Sequence, residues 1–512
     1  MEWMTLYDSR DTVLRGVSWQ FYSSFVSIVV GGLFYIFIIH IFNSTEIVGV
    51  FSLLSAIAFL FSTVFTLGLG TGIQHFISYH MGRGEEDAVK VLVNRMMLLG
   101  LLLSAGAFIA LWFLSPALAY LFFHTFRYLA YIRLIDVELF SMIFNGFMTS
   151  MLLGLQNFKT ASIITIVNWG VGYGLIIPFI ILNHNPITVI YAWIIGYYIS
   201  TFLLLFSVRG KVRRIKRRRE EKVEMRPIII YSIPIFVSAL IGYGAGYVDR
   251  FTVSFFMNLS ELGIYNFALL IINAMGILTG PIGTILLSRL SEFYGKDDMH
   301  NFKLYSEKAI EVLSAIYVPL ALLAAALSPS ILLFLANSSY LPGYIPIMII
   351  LIVSAITVFG NIYATSLQAI RKTRIFIMSS SFALLANFII SVLLIPHFGI
   401  DGAAIGYSST GIAGFSVVLY YSRKYGTFVF DKVRMSKIYI SSFLMFFLMI
   451  VVQERLGYSI LKLFTYIVTG IAVYLFLIRV TGTFTEEDID LFLGMVPGRY
   501  ERLKRFFRSL FV

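Results

Sequence analysis

Long apolar stretches recur along this chain from residue 16 to residue 480, separated by short polar intervals. A helix that is hydrophobic on every face is buried in a protein core or in lipid. A bilayer core takes roughly 20 apolar residues per spanning helix. On that measure spans are expected at 16–42, 47–72, 93–115, 134–155, 161–182, 187–208, 228–257, 262–288, 308–327, 345–368, 375–396, 401–422, 437–453 and 460–480. Lys and Arg sort sharply between the intervals. All but five of the 39 fall on one side; Arg127, Arg133, Arg455 and Lys462 fall on the other, and Arg250 lies inside a span. By the positive-inside rule both termini are then cytoplasmic. An odd number of crossings would scramble the separation, so the charges support fourteen independently of hydropathy.

Composition strengthens this picture: 59% of the 512 residues are hydrophobic and only 13% are charged. A soluble domain carries roughly 25% charged residues. The first apolar run has no small-residue cleavage site and reads as a retained helix. The chain contains no cysteine, which excludes disulfides, thiolate metal sites and cysteine nucleophiles. The net charge of +12 needs no nucleic acid to explain it. Its densest run, RGKVRRIKRRREEKVEMR at 209–226, lacks aromatic interleaving and reads as a topology signal, or else as a patch for anionic headgroups. The tail segment YERLKRFFRSL is basic and amphipathic, suited to the inner leaflet.

The halves of the chain resemble each other. NSTEIVG from Asn43 parallels NLSELG from Asn258; Gly70-Thr71 and Gly82 parallel Gly283-Thr284 and Gly295. Leu155-Gln156 parallels Leu367-Gln368, and Ile195-Gly196-Tyr197 parallels Ile405-Gly406-Tyr407, all at an offset of roughly 212 residues. Six helices repeated in the same orientation predict two parallel lobes around a central cleft, the geometry of alternating access. The expected organisation is an all-α polytopic membrane protein of about fourteen helices. It comprises an N-terminal lobe at 1–210, a basic cytoplasmic linker at 211–226 and a C-terminal lobe at 227–425. Two extra helices at 436–481 and a cytoplasmic amphipathic tail at 482–512 follow.

Several segments resemble the polysaccharide-export flippases of the multidrug/oligosaccharidyl-lipid/polysaccharide (MOP) superfamily. They are VDRFTVSFFMNLSELGIYNFALL at 248–270, ISYHMGRGEED after the second span, GLQNFKTAS after the fourth, FGIDGAAIGYSSTGIAGFSVVLYYSRKY at 398–425, and the tail beginning FTEEDIDLFL. The resemblance implies two six-helix lobes with two further helices, and movement of a polyprenyl-(pyro)phosphate-linked oligosaccharide from the cytoplasmic to the outer leaflet of the cell membrane. It implies a lipid-linked glycan substrate, membrane lipids and glycan-assembly enzymes as partners, a functional monomer, no cofactor and no enzymatic activity. Family members often carry a basic residue near the outer end of helix one, where this chain has His40. The basic and acidic residues of lipid II flippases in their first two helices are also missing, which disfavours a peptidoglycan precursor as cargo.

Ionisable groups inside lipid are expensive and therefore candidates for function. Asp249 and Arg250 are adjacent in the seventh span and so point about 100° apart. Arg250 suits a pyrophosphate because the guanidinium fork matches phosphate oxygens; the alternative is a structural pair or a headgroup anchor. Asp249 is the candidate for a coupling H⁺ or Na⁺, or else the partner of an arginine. Helix one is polar for a span: Gln20, Ser23, Ser24, Ser27, Tyr35 and His40 follow Arg10 and Arg15. Its serines recur at helical steps, as a wet stripe facing the cleft or as polar glue between helices. The substrate-binding candidates are thus Arg250, Asp249, Gln20, Ser24, Ser27, Tyr35, His40 and Arg15, with no metal site. Asn145, Asn168, Asn273, Asn361 and Asn387 read as interhelical hydrogen-bond partners, and Pro178, Pro234 and Pro281 as helix interruptions. Asn43, Asn258 and Asn337 begin Asn-x-Ser/Thr sequons in outward loops.

Two other functions compete. A cation-coupled drug or metabolite antiporter of the MATE type would have twelve helices and commonly an intramembrane acid, for which Asp249 qualifies. A membrane glycosyltransferase would need positioned acids at a membrane face. The acids of the short outer loops, Glu46, Asp136, Glu138, Glu261, Asp401 and Glu454, are thinly spread, and Asp136 and Glu138 make a poor pair. No Walker-type phosphate loop is present, so the chain does not itself use ATP.

Overall fold

The computed structural model describes residues 2–214 and 224–483; the middle of the basic run and nearly all of the expected tail lie outside the described residues. Regular structure among the described residues is entirely helical. The chain divides into two compact units, Met1–Gly263 and Ile264–Val512. The first contains α1 (Glu2–Phe42), α2 (Thr45–Thr66), α3 (Leu69–Gly82), α4 (Glu86–Phe123), α5 (Leu129–Gly154), α6 (Phe158–Gly174), α7 (Ile176–Asn183), α8 (Ile187–Arg214) and α9 (Arg226–Phe256). The division falls within α10 (Leu259–Gly295). The second unit continues with α11 (Met299–Ala326), α12 (Ser328–Leu335), α13 (Tyr344–Thr357), α14 (Gly360–Ala369), α15 (Arg374–Lys424), α16 (Lys432–Leu456) and α17 (Ile460–Val480).

Thirteen segments among the described residues are long and apolar enough to cross a membrane. One of them, α15, has 51 residues and would reach about 77 Å, far beyond a bilayer core of roughly 30 Å. Gly399, at φ 57° and ψ −136°, divides it. That conformation is closed to a side chain with a Cβ and open to glycine. Each arm is long enough for one crossing, which agrees with the spans expected at 375–396 and 401–422.

The other helix breaks do not follow the prolines. Pro234 and Pro281 lie inside the unbroken helices α9 and α10. Pro178 sits in the first turn of α7, just past a break at Leu175, where a missing N–H costs nothing. A sharper break separates α2 from α3 at Leu67 and Gly68, both at positive φ. A Cβ on Gly68 would come within 2.7 Å of the Phe236 nitrogen and the Ser232 oxygen of α9.

Two helices act as packing hubs. In the first unit α5 touches α2, α3, α4, α6 and α8. In the second, α11 touches α12, α13, α14, α16 and α17. The spans containing them are 61% and 67% buried, against 17% for the span that α15 supplies. The two extra helices are tied to the second unit by polar contacts as well as apolar ones. Glu311 of α11, 4% exposed, pairs with Arg434 of α16 at 2.6 Å and with Lys308 at 3.1 Å. Gln453 of α16 donates to the Ala326 carbonyl and accepts from Ser330, at 2.6 and 2.7 Å.

Loops close on local hydrogen bonds. Asn258 Oδ1 accepts from the Glu261 N–H, and Asn337 Oδ1 from the Ser339 N–H, so two of the three sequon asparagines serve as caps. Between α3 and α4, Glu85 accepts from His80 at 2.6 Å and from Arg83 Nε at 2.8 Å; the His80 hydrogen bond holds its carboxyl below the ordinary carboxylate range.

Within the first unit, the matching NSTEIVG and NLSELG segments meet. Thr45 and Ser260 are joined through their hydroxyls. A Cβ on Gly49 would sit 1.9 Å from the Leu259 carbonyl oxygen, and one on Gly263 1.9 Å from that of Thr45. Small residues at such crossings let helix backbones touch. Gly49→Ala and Gly263→Ala are each expected to lower the melting temperature of the detergent-purified protein, by the equivalent of about 1–3 kcal/mol of overpacking. Gly146→Ala, on a face with nothing within 4 Å of the added methyl, should leave it unchanged in the same thermal-shift series.

Candidate functional site

The polar chemistry of the first unit is concentrated on its hub helix. Glu138, Ser141 and Asn145 follow one another at three- and four-residue steps on α5, which puts them on one face. That face meets α8. Ser141 and Thr201 share a hydroxyl hydrogen bond of 2.5 Å; Thr201 also lies 2.6 Å from Asn145 Oδ1, and Asn145 Nδ2 donates to the Tyr197 carbonyl at 3.2 Å. At the end of this seam Glu138 is 7% exposed, with no hydrogen-bond partner at Oε2. The phenols of Tyr173 and Tyr197 lie within electrostatic reach of it, and Tyr197 is bonded to the Asn168 side chain. Aromatic rings wall the seam: Tyr173 stacks on Trp169 at 4.8 Å and meets Phe34 edge-on at 5.0 Å.

Asp136 lies about 200° around α5 from Glu138. It is fully buried, and neither carboxyl oxygen has a partner. Nearby on α5, the Arg133 guanidinium lies over the Trp112 ring at 4.7 Å, its Nε also without a partner. The sequence reading placed Asp136 and Glu138 among thinly spread outer-loop acids; the structure places both inside a helix in the core of the first unit. A buried charge without a counter-ion costs several kcal/mol. An ionised carboxylate at either position would carry that cost, and protonation or a bound cation would remove it.

The residues expected from sequence do not assemble into one site. Asp249 of α9 is fully buried; Arg250, 8% exposed, donates to the Gly246 carbonyl at 2.8 Å and lies over the Tyr247 ring at 4.4 Å. Tyr243 stacks on Tyr247 at 4.6 Å and donates to the Ala56 carbonyl at 2.6 Å, which fixes this stretch of α9 against α2. On α1, Ser24 is exposed, whereas Ser27 is half-buried and donates to the Ser23 carbonyl at 2.8 Å. His40 is exposed, with Nδ1 2.8 Å from the Ile36 carbonyl. Tyr35 packs edge-on against Phe34 and lies near Tyr173, so among the described members of the expected set it is the one that joins the α5 seam. The side chains of Gln20 and Arg15 lie outside the described residues.

The second unit holds a cavity of about 320 Å³. It opens where α13 ends at Thr357 and α14 begins at Gly360, and α10, α11 and both arms of α15 complete its walls. Every polar side chain lining it is uncharged. No group of three or more acids, histidines or cysteines able to hold a metal occurs among the described residues.

A family profile described as polysaccharide biosynthesis protein matches residues 54–344. An uncharacterized membrane protein of Methanocaldococcus jannaschii is 23% identical over 425 residues, which is 77% of this chain and 81% of its own length. Among solved structures, the lipid II flippase MurJ in an inward closed conformation superposes with a TM-score of 0.72 at 18% identity. That match covers 90% of this chain and 97% of the other. An inward-facing multidrug resistance MATE family transporter of the MOP superfamily gives 0.64 at 16% identity, over 80% and 94%. At these identities the likeness is one of fold.

The seam yields an expectation about stability. Glu138→Gln, which keeps the shape without the charge, should leave the melting temperature unchanged or raise it. Thr201→Val should lower it, because the loss strands Ser141 and Asn145; the cost should be about 1–3 kcal/mol. Thermal unfolding of the two purified variants reads both.

Proposed function

The chain belongs to the polysaccharide biosynthesis protein family, and from that premise we propose that it flips a polyprenyl-(pyro)phosphate-linked oligosaccharide from the cytoplasmic to the outer leaflet of the cell membrane. The family match, which runs through both halves of the chain, carries this reading. The fold supports it, since flippases and transporters share that fold. The one-sided distribution of Lys and Arg supports cytoplasmic termini. On this reading the protein works by alternating access as a monomer and makes or breaks no covalent bond in its cargo.

Arg250 is the residue suited to the cargo's phosphates, because a guanidinium fork matches phosphate oxygens. An H⁺ or Na⁺ gradient is the proposed source of energy. Asp249 and Glu138 are both buried acids that could sense it; Glu138 stands at the end of a seam of hydroxyl and amide groups on α5 and α8, which favours it. A cation-coupled antiporter of small molecules is the second reading, favoured by the likeness to a MATE transporter.

A deletion strain separates the two. The flippase reading expects lipid-linked oligosaccharide to accumulate on the cytoplasmic leaflet, with loss of surface glycan. Normal glycan export together with sensitivity to small toxic compounds would instead favour the antiporter. In proteoliposomes with an imposed pH or Na⁺ gradient, Glu138→Gln should keep basal flipping but lose most of its response to the gradient, whereas Arg250→Ala should lower the basal rate itself by about tenfold, the loss of one charge-assisted hydrogen bond.

A further inference from the structure

The cavity of the second unit has a hydrogen-bonding polarity of its own. Six hydroxyls line it, and each spends its proton inside the protein. Thr279 donates to the Gly276 carbonyl, Thr357 to Val353, Thr410 to Tyr407 and Ser379 to Gly414; Ser354 donates to Leu351, and Tyr317 donates to Ser354. The Asn361 side chain commits one of its two N–H groups to the Val358 carbonyl at 3.0 Å and keeps its Oδ1 as an acceptor. A hydroxyl that has given its proton away retains acceptor lone pairs. The cavity therefore offers acceptors, with no lysine, arginine or histidine in its lining.

The backbone shows the same character. Between α13 and α14 the regular ladder gives way to short bonds, Asn361 N–H to Val358 and Ile362 N–H to Phe359. Val358 and Phe359 keep right-handed helical dihedrals, so the chain tightens here into a 3₁₀-like turn beside the cavity. Phe376 and Phe415 supply apolar walls, and Gly360, Gly411 and Gly414 let the helices close around the space.

An acceptor-rich, uncharged cavity disfavours phosphate, which brings only acceptors and negative charge. It matches a ligand whose surface is hydroxyl donors on an apolar ring. We propose that the cavity between α13, α14 and α15 is a subsite for an uncharged sugar ring of the cargo, separate from the group that holds the phosphates. The identification of the ring as part of a cargo rests on the lipid-linked glycan reading; the chemistry of the pocket does not.

The absence of cysteine gives a direct test, because Ser379→Cys places a single thiol in the cavity wall of the full-length protein. Millimolar N-acetylglucosamine should slow alkylation of that thiol by a small maleimide, and inorganic phosphate at the same concentration should not. Adding Thr357→Val and Thr410→Val should weaken the protection about tenfold, as expected for losing one to two hydrogen bonds. Ala364→Cys, across the cavity on α14, provides a second reporter if the first variant folds poorly. Protection by phosphate equal to that by sugar would overturn the proposal, as would no protection by sugar at any soluble concentration. Sugar protection in a protein whose deletion leaves glycan export intact would keep the subsite and remove the carrier reading; the reverse pair of results would do the opposite.

Discussion

Every polar group that enters a bilayer core must find its partner inside the protein, because lipid offers none. That constraint explains why the described structure is helix throughout. It also explains where the helices stop being regular. Gly399, Leu67–Gly68 and Val358–Phe359 are places where the chain leaves the regular helical ladder; Gly68 lies against the backbone of α9, and Val358 lines a polar cavity. The same constraint orders the side chains. Glu311 is met by two cations and Gln453 by two partners, whereas Glu138 and Asp136 retain carboxyl oxygens without any. Most of the other unmet buried atoms are hydroxyls or ring and amide nitrogens, for which the cost is smaller; an unmet buried carboxylate is a larger local cost, of the kind that marks function.

Much of the fold could be read from hydropathy because lipid imposes a length as well as a composition. The spans at 375–396 and 401–422 emerged as two because neither one helix nor one bilayer accommodates 51 residues, and Gly399 supplies the break. Proline was a poorer guide. Pro234 and Pro281 remain within helices, since neighbouring groups can satisfy the carbonyls that proline frees, while Leu67 carries a positive φ that no residue type announced. The candidate site was less legible still. Arg250 stood out by charge, yet it is held to its own helix. Glu138 was passed over because it lies near the outer end of a span, although the steps from Glu138 to Ser141 and Asn145 were visible. The cavity announced itself least, being lined by serines, threonines and glycines that membrane helices use everywhere for packing.

Similarity of fold does not choose a cargo. The chain superposes on a lipid II flippase more closely than on a MATE transporter, but both likenesses are below 20% identity, and one architecture serves both activities. The choice has to come from chemistry. An exporter of apolar cations would need acidic or aromatic surfaces aimed at its substrate. The described cavity offers neutral acceptors and has no acid in its lining; Glu311, a buried acid of the same unit, is met by Arg434 and Lys308.

The internal repeat sharpens this contrast. Aligned through Leu155-Gln156 and Leu367-Gln368, the hub helix α5 corresponds to the broken pair α13 and α14, and Asn145 corresponds to Thr357. The same helix of the ancestral unit therefore carries the polar chemistry in both halves, by different means. In the first half it stayed continuous and acquired Glu138, which corresponds to Ile350 in the second. In the second half it broke after Thr357 and surrounded the break with hydroxyls. Asp136 and Glu138 both lie buried on this continuous helix, whereas its second-half copy, α13 and α14, carries no acid. That copy supplies space and neutral acceptors instead of charge. On the proposed reading, divergence at one repeated helix would give a carrier separate means to take up a driving ion and to recognise its cargo.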